Sequence, residues 1–336
     1  MPRRIEKNTM AYTLSAENPH TSPDRSRRVA TLIASATEIV AALGCRDWIV
    51  GRSHECDYPE SISAVPVLTA PKIALEGTSA EIDQQVKALV KEGISVYRVH
   101  DELLRELSPD VIITQDQCEV CAVSLKDVEH AISDWAGRDI QVVSCRPNAL
   151  GDIWSDIRRV ADALGIPAAG DRLVFEMQGR MNAIAARAST AQSRPRVLCI
   201  EWVDPLMSAC DWMPELVERA GGLSLLAQAG KHSQWITWES AVAAEPDVIV
   251  VMPCGFDIGR AAGDVSILER KPGFAGLKAV QEGRVAIVDG NQYFNRPGPR
   301  LVESLEILAE ILHPELFDFG HYGDGWVEWP GAASFV

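Results

Sequence analysis

The chain has no apolar run of the roughly 18 uninterrupted residues that a membrane-spanning helix requires; charged or polar residues break every stretch first. It also lacks a basic excess. With a net charge of −15 and a pI near 4.9, it would repel nucleic acid and anionic membranes, both of which need a positive face. Three signatures of enzymes are missing as well: a nucleophile elbow, a phosphate-binding loop and a dinucleotide glycine fingerprint. Gly221-Gly222 reads as a helix end, so the sequence offers no positive sign of catalysis. The opening residues, MPRRIEKNTM, have basic character but no apolar signal-peptide core behind them. Read literally, that places the protein in the cytoplasm, where eight cysteines fit as free thiols or ligands. A start codon assigned too far downstream would hide an export signal and place it outside.

What is present is an ordinary globular composition, 47% apolar and 24% charged over 336 residues, enough for two cores. Residues 1–27 are polar and aperiodic, a disordered leader. Order begins with a buried strand at Val29–Ile33, followed by Ser35-Ala36-Thr37-Glu38, whose spacing predicts a capping box, and a helix through Leu43 that stops at Gly44. A second strand over 48–51 feeds the loop 52–59. Two later segments echo one another: Ser108-Pro109-Asp110-Val111-Ile112-Ile113 and Glu245-Pro246-Asp247-Val248-Ile249-Val250. Each follows a helical stretch and enters an apolar strand, too far apart for a solenoid but suited to two similar lobes. The fold expected is therefore α/β: two Rossmann-like lobes with mostly parallel sheets (28–149 and 192–313), joined by a long helical connector over 150–191. Residues 314–336 form a tail.

Ligands of open α/β sheets lie beyond the carboxyl ends of the strands, and the unusual residues fall in such loops. His54, Cys56 and Tyr58 follow the second strand; Gln115, Cys118 and Cys121 follow the first Pro-Asp strand. Trp202 and Asp204, Cys254 and Phe256, then Asn291, Tyr293, Phe294 and Arg296 follow strands of the second lobe. Cys118 and Cys121 form a single CxxC. A zinc or iron site would draw further ligands from His54, Cys56 or Cys254; a redox dithiol, or simple burial of the thiols, is the alternative. Arg300 closes Arg-Pro-Gly-Pro-Arg, to bind ligand or pair with a surface carboxylate.

Ile33-Ala34-Ser35-Ala36-Thr37-Glu38-Ile39, Cys56-Asp57-Tyr58-Pro59, Ser108-Pro109-Asp110-Val111-Ile112 and Arg296-Pro297-Gly298-Pro299-Arg300 together resemble the class III, helical-backbone substrate-binding proteins. The resemblance covers residues 28–313 and is to the cobalamin-binding branch, similar to the B12-binding component of an ABC importer. It implies a rigid helix between lobes, modest closure, a permease partner, and a cobalamin or related corrinoid held between the lobes. Tyr58, Trp202, Phe256, Tyr293 and Phe294 would then meet the macrocycle, and Gln115, Asp204, Asn291 and Arg296 its polar fringe. The thiol-bearing loops depart from the transport pattern and point to a metal in the ligand. Two rivals remain: a cytosolic metal-binding protein using Cys and His ligands, and a thiol-dependent corrinoid-handling enzyme.

Overall fold

The computed structural model describes residues 26–74, 76–92, 95–115, 125–132 and 140–331. The first lobe runs β1 (Val29–Thr31), α1 (Ala34–Ala42), β2 (Ile49–Arg52), β3 (Thr69–Pro71), α2 (Ser79–Lys91), β4 (Tyr97–Val99), α3 (Asp101–Leu107), β5 (Val111–Gln115), α4 (Leu125–Ile132) and β6 (Gln141–Cys145). Two helices follow, α5 (Leu150–Ala163) and α6 (Pro167–Ala188). The second lobe holds β7 (Arg196–Trp202), β8 (Met207–Ser208), α7 (Met213–Arg219), β9 (Leu223–Ser224), β10 (Gln234–Trp235), α8 (Trp238–Ala243), β11 (Val248–Val251), α9 (Ile258–Glu269), α10 (Lys278–Gln281), β12 (Val285–Val288), α11 (Leu301–Leu312) and β13 (Trp326–Glu328).

The first sheet has the order β2-β1-β5-β6, all parallel. In the second, β7, β11 and β12 are parallel, flanked by antiparallel β8, β10 and β13. Helices cover both faces of such sheets, which is why β5 and β11 are buried along their whole length and read as continuous apolar runs. The α/β, two-lobed, mostly parallel fold expected from the sequence is the one observed.

The two Pro-Asp segments do the same work in each lobe. The Asp110 carboxylate accepts from the Arg28 backbone N–H (2.9 Å) just ahead of β1, and Asp247 accepts from Arg196 (2.8 Å) at the start of β7. Each arginine side chain in turn donates to the last turn of the preceding helix, at Leu107 O and Ala244 O. Ser108 and Glu245, which open the two motifs, both take left-handed backbone (φ 46° and 45°). The aspartate thus staples its own strand to the first strand of its lobe.

The expected capping box at Ser35 and Glu38 does not form. Helix α1 starts two residues earlier, Ile33 is its N-cap without a side-chain bond, and both polar residues are buried inside the helix. Glu38 is diverted to an arginine of the other lobe, described below. β1 is also shorter than expected, because Ile33 already turns into the helix. A capping box does form at Thr78 and Glu81, at the start of α2.

Helices α5 and α6 pack closely. Gly165 (φ +77°) ends the first, Pro167 opens the second, and a Cβ at Gly170 would come within 2.6 Å of Ala161. Their inward residues, among them Ile153, Ile157 and Met181, belong to one apolar cluster that also contains Val29 and Val111 of the first sheet and Val197 and Leu305 of the second lobe.

The tail is built into the second lobe: β13 extends the sheet by pairing with β12. Glu310 of α11 accepts from the backbone of Phe319, Gly320 and His321 and from Trp326 Nε1 (2.9 Å). Glu306 accepts from His321 Nε2 (3.0 Å) and Arg180 (2.7 Å). Burial lowers the His321 basicity, but the bond and charge of Glu306 with nearby Glu310 outweigh it, leaving the pKa raised. Burial likewise pushes Glu306 up and its two cationic partners pull it below its ordinary range. The His321 contribution is therefore complete below its ordinary 6.5 and fades as pH rises through the raised folded value; that of Glu306 fades only in acid. Hydrogen-exchange protection of residues 319–328, taken relative to the base-catalysed rate of the unstructured chain at each pH, should fall above neutral pH, reflecting a loss of about 1 kcal/mol, and His321→Gln should abolish that dependence. A pH-independent wild-type profile would remove the imidazolium from the latch.

Candidate functional site

The loops after the strands of both lobes meet where Arg296 crosses between them. Arg296, from the segment between β12 and α11, is buried and donates to Glu38 Oε1 (3.0 Å) in α1 and to Asp57 Oδ2 (3.0 Å) and Oδ1 (2.5 Å) in the β2 loop. Asn291 completes the group, donating to Asp57 (3.1 Å) and accepting from Arg296 (3.1 Å). Burial opposes the guanidinium charge, but Asp57 and Glu38 more than offset it, so Arg296 is held firmly protonated. Asp57 is pushed up by burial and pulled lower still by the Arg296 bonds and charge, for a net decrease. Glu38 goes the other way. Burial dominates over the attraction of Arg296 and Arg300, Asp57 repels it, and its carboxyl is raised to about 7.

Next to this group, the Arg300 guanidinium lies over two rings, Tyr58 of the first lobe (4.2 Å) and Tyr293 of the second (4.4 Å), and donates to Gln292 Oε1 (3.2 Å). Such cation–π contacts order an arginine between flat faces. Tyr58 remains 46% exposed. Four sequence-predicted residues, Tyr58, Asn291, Tyr293 and Arg296, are thus brought together.

A second group sits at the ends of β7 and β11. Trp202 stands edge-on to Phe256 (5.3 Å), Arg260 covers the other ring (3.7 Å), and Trp202 Nε1 donates to the Ser79 carbonyl of α2 (3.2 Å). Phe256 is almost wholly buried. Asp204 lies in the turn after β7, where its charge helps raise the pKa of Asp264, itself lifted mainly by burial. Gln115 is buried at the end of β5.

Other expected residues do not join either group. Phe294 was expected at the ligand. Its ring has no exposed surface and belongs to the shared apolar core; the backbone around it is tied to Ser304 and Trp212. It is a core residue. His54 is engaged at Nδ1 by Thr69 Oγ1 (2.7 Å) and packs on Tyr97, whose hydroxyl donates to Glu55 (3.2 Å). Burial and the charge of Arg52 depress its pKa, favouring the neutral imidazole. Cys56 is buried, accepts from Thr37 Oγ1 (3.0 Å), and its thiol is pushed up to about 11 by burial. Its Sγ is thus engaged inside the first lobe by Thr37. Cys254 is exposed on the β11 loop. Cys118 and Cys121 lie outside the described residues. Among the described residues no three His, Cys, Asp or Glu side chains converge on a metal position, and the six described cysteines form no disulfide with one another.

Sequence reasoning missed Glu38 and Asp57 as partners of Arg296, and missed α2 altogether. The signal for Glu38 was available: a lone acid in Ala-Ser-Ala-Thr-Glu-Ile-Val-Ala-Ala has no polar face to occupy, so it must be paired inside.

A two-lobed α/β molecule with strand-end loops meeting between the lobes is the architecture of a solute-binding protein. The match extends to a family: residues 29–291 fit the periplasmic binding protein model, and the chain belongs to that family. Members are transport components that bind solutes without transforming them, in keeping with the expected absence of catalysis. Among relatives, the chain is 24% identical over 296 residues to an uncharacterized ABC transporter substrate-binding lipoprotein, YvrC, of Bacillus subtilis (strain 168), covering 87% of this chain and 81% of that one. It is 25% identical over 311 residues to a cobalamin-binding protein of Halobacterium salinarum, covering 88% and 74%. In structure it is similar to the periplasmic heme-binding protein RhuT of Roseiflexus sp. RS-1, with a TM-score of 0.64 at 23% identity, covering 86% and 99%.

These relatives correct the expected location. A cytoplasmic protein was read from the opening residues, but the family is periplasmic and the Bacillus relative is a lipoprotein, so the homologues place this type of protein outside the cytoplasm. Among the described residues no helix is long and apolar enough to cross a membrane.

Proposed function

We propose that the protein is the substrate-binding component of an ABC importer and holds a cobalamin-like corrinoid between lobes 28–149 and 192–313, the helices of 150–191 joining them. The observation that carries the reading is the pair of tyrosines from opposite lobes at one guanidinium, Tyr58 and Tyr293 around Arg300, with Tyr58 left 46% exposed. A flat, largely apolar macrocycle suits an aromatic wall, and Asn291, Gln292 and Arg300 beside it can meet an amide fringe. The cobalamin-binding relative of Halobacterium supports the choice of ligand. A permease is the partner this function requires. Cobalt would arrive inside the ligand, so no resident zinc or iron is part of the reading.

Incubation with cyanocobalamin followed by desalting tests it. Corrin absorption should be retained at one equivalent per chain, and Tyr58→Ala should weaken binding by about 1–2 kcal/mol, roughly five- to thirtyfold. Loss of all corrin absorption on desalting would defeat the proposal, and retention of hemin in its place would move the ligand to a heme, which the RhuT likeness makes the natural comparison.

A further inference from the structure

In the second sheet the chain leaves β7 for β8 on one side and returns through β11 on the other. That reversal opens a crevice at the carboxyl ends of β7 and β11, the place where an open α/β sheet takes its ligand. Trp202 and Phe256 stand there, and the crevice is filled by a piece of the protein's own first lobe.

The occupant is α2. Trp202 Nε1 donates to Ser79 O (3.2 Å) in its first turn, and Arg260 donates to Gly77 O (3.3 Å) just ahead of its Thr78 cap. The buried Asp264 carboxylate of α9 stands against the same turn beside Ser79, where a helix N-terminus favours negative charge. Ile82, 8% exposed, is part of the second lobe's apolar cluster with Ile200 and Phe256, although it is carried by the first lobe. Val86 and Ile73 lean on the clusters of both lobes. Farther along, the Lys87 ammonium lies over the Trp235 ring (5.0 Å).

Two features make this a movable plug and not a fixed wall. Helix α2 is closed by its own capping box at Thr78 and Glu81 and by an Asp83–Lys87 ion pair (2.7 Å), so it holds its shape as a unit. Its attachment to the first lobe is the two-stranded ribbon β3–β4, paired over Thr69–Pro71 and Tyr97–Val99 and bridged to β2 at its base through Arg52 and Val67, with Val86 and Ile73 packing back on the first lobe's cluster. Its hold on the second lobe is one well-buried isoleucine with Val86 beside it, two bonds to carbonyls, the Asp264–Ser79 contact and the Lys87–Trp235 contact.

We infer that α2 is an internal gate: it occupies the β7/β11 crevice, and a ligand reaches Trp202 and Phe256 only by displacing it. The inference rests on the proposed interlobe ligand only for what enters; the occupancy stands on the contacts above. A ligand that pays for this displacement binds with its intrinsic affinity reduced by the open fraction, so loosening the gate should tighten binding.

Ile82→Asp tests this, with Ile82→Ala as a milder variant that shrinks the anchor without introducing a charge. Hydrogen exchange in the ligand-free protein should rise about tenfold or more over residues 79–91, 200–206 and 253–260 in Ile82→Asp, with a smaller rise in Ile82→Ala, while β5 and α11 stay protected. Cyanocobalamin, with hemin as a second probe, should then bind the variants at least about fivefold more tightly, and faster, than wild type. Unchanged exchange at 200–206 and 253–260 in both variants overturns the gate. So does exposure of the crevice with weakened probe binding, because α2 would then be a wall of the site. If neither probe is retained by any form, the proposed ligand class fails, and the exchange result alone decides whether α2 opens.

Discussion

Arg296→Ala is expected to lower stability by about 3–5 kcal/mol at pH 8, the cost of leaving buried carboxylates without their cation. The guanidinium is 6% exposed and serves Glu38, Asp57 and Asn291 at once. Asp57 can recover some solvent, but Glu38 cannot. With Arg296 present, burial already lifts the Glu38 carboxyl to about 7. A carboxyl whose folded pKa exceeds its unfolded value favours folding while protonated; that contribution is complete below its ordinary 4.5 and is lost as pH rises through 7. Removing the arginine raises the folded value further. The penalty should therefore shrink at pH 5, where Glu38 is neutral either way, and reappear at pH 8. Urea midpoints at both pH values, for Arg296→Ala, Glu38→Gln and the double variant, measure it. The double variant should recover a substantial part of the loss. Arg296→Lys should rescue poorly, since one ammonium cannot span the forked contacts. A cost under about 1 kcal/mol at pH 8 would mean that the pair is not a lock between the lobes.

Phe294→Ala should cost about 3–5 kcal/mol, the range for emptying a fully buried aromatic position. The ring has no exposed surface, and its residue is held in left-handed backbone (φ 61°) by Ser304 Oγ, which accepts from its N–H (3.0 Å), and Trp212 Nε1, which donates to its carbonyl (2.8 Å). Alanine keeps the backbone strain and loses the packing. Phe294→Gly relieves the strain while opening the same cavity, so it should cost no more than alanine despite the smaller residue. Thermal and urea unfolding check both. A variant of unchanged stability with impaired cyanocobalamin retention would return the ring to the ligand site.

The elements that the sequence made legible are those whose signal is local. The Pro-Asp segments announced two equivalent lobes because each aspartate acts within a few ångströms of its own strand. The apolar strands and the helices of 150–191 followed from periodicity alone. Tyr58, Asn291, Tyr293 and Arg296 could be suspected because they follow strand ends. What stayed hidden depends on partners far along the chain. Glu38 looked like a helix cap until Arg296, 258 residues away, took its carboxylate. Phe294 looked like its neighbour Tyr293, and only the turn of the backbone sends one ring to the core and the other toward the interlobe face. Cys56 looked like an open loop residue because sequence carries no information on burial, which here encloses the thiol beside Thr37. The location was misread for another reason: it is a property of the family, not of composition.

The apolar cluster that runs from the first sheet through α5 and α6 into the second lobe has a mechanical consequence. A joint made of interlocked side chains acts as a beam, not a pivot: bending it strains dense packing, and the strain restores the original angle on release. The angle between the lobes is thereby set by side-chain packing across α5 and α6, and not by a flexible connection.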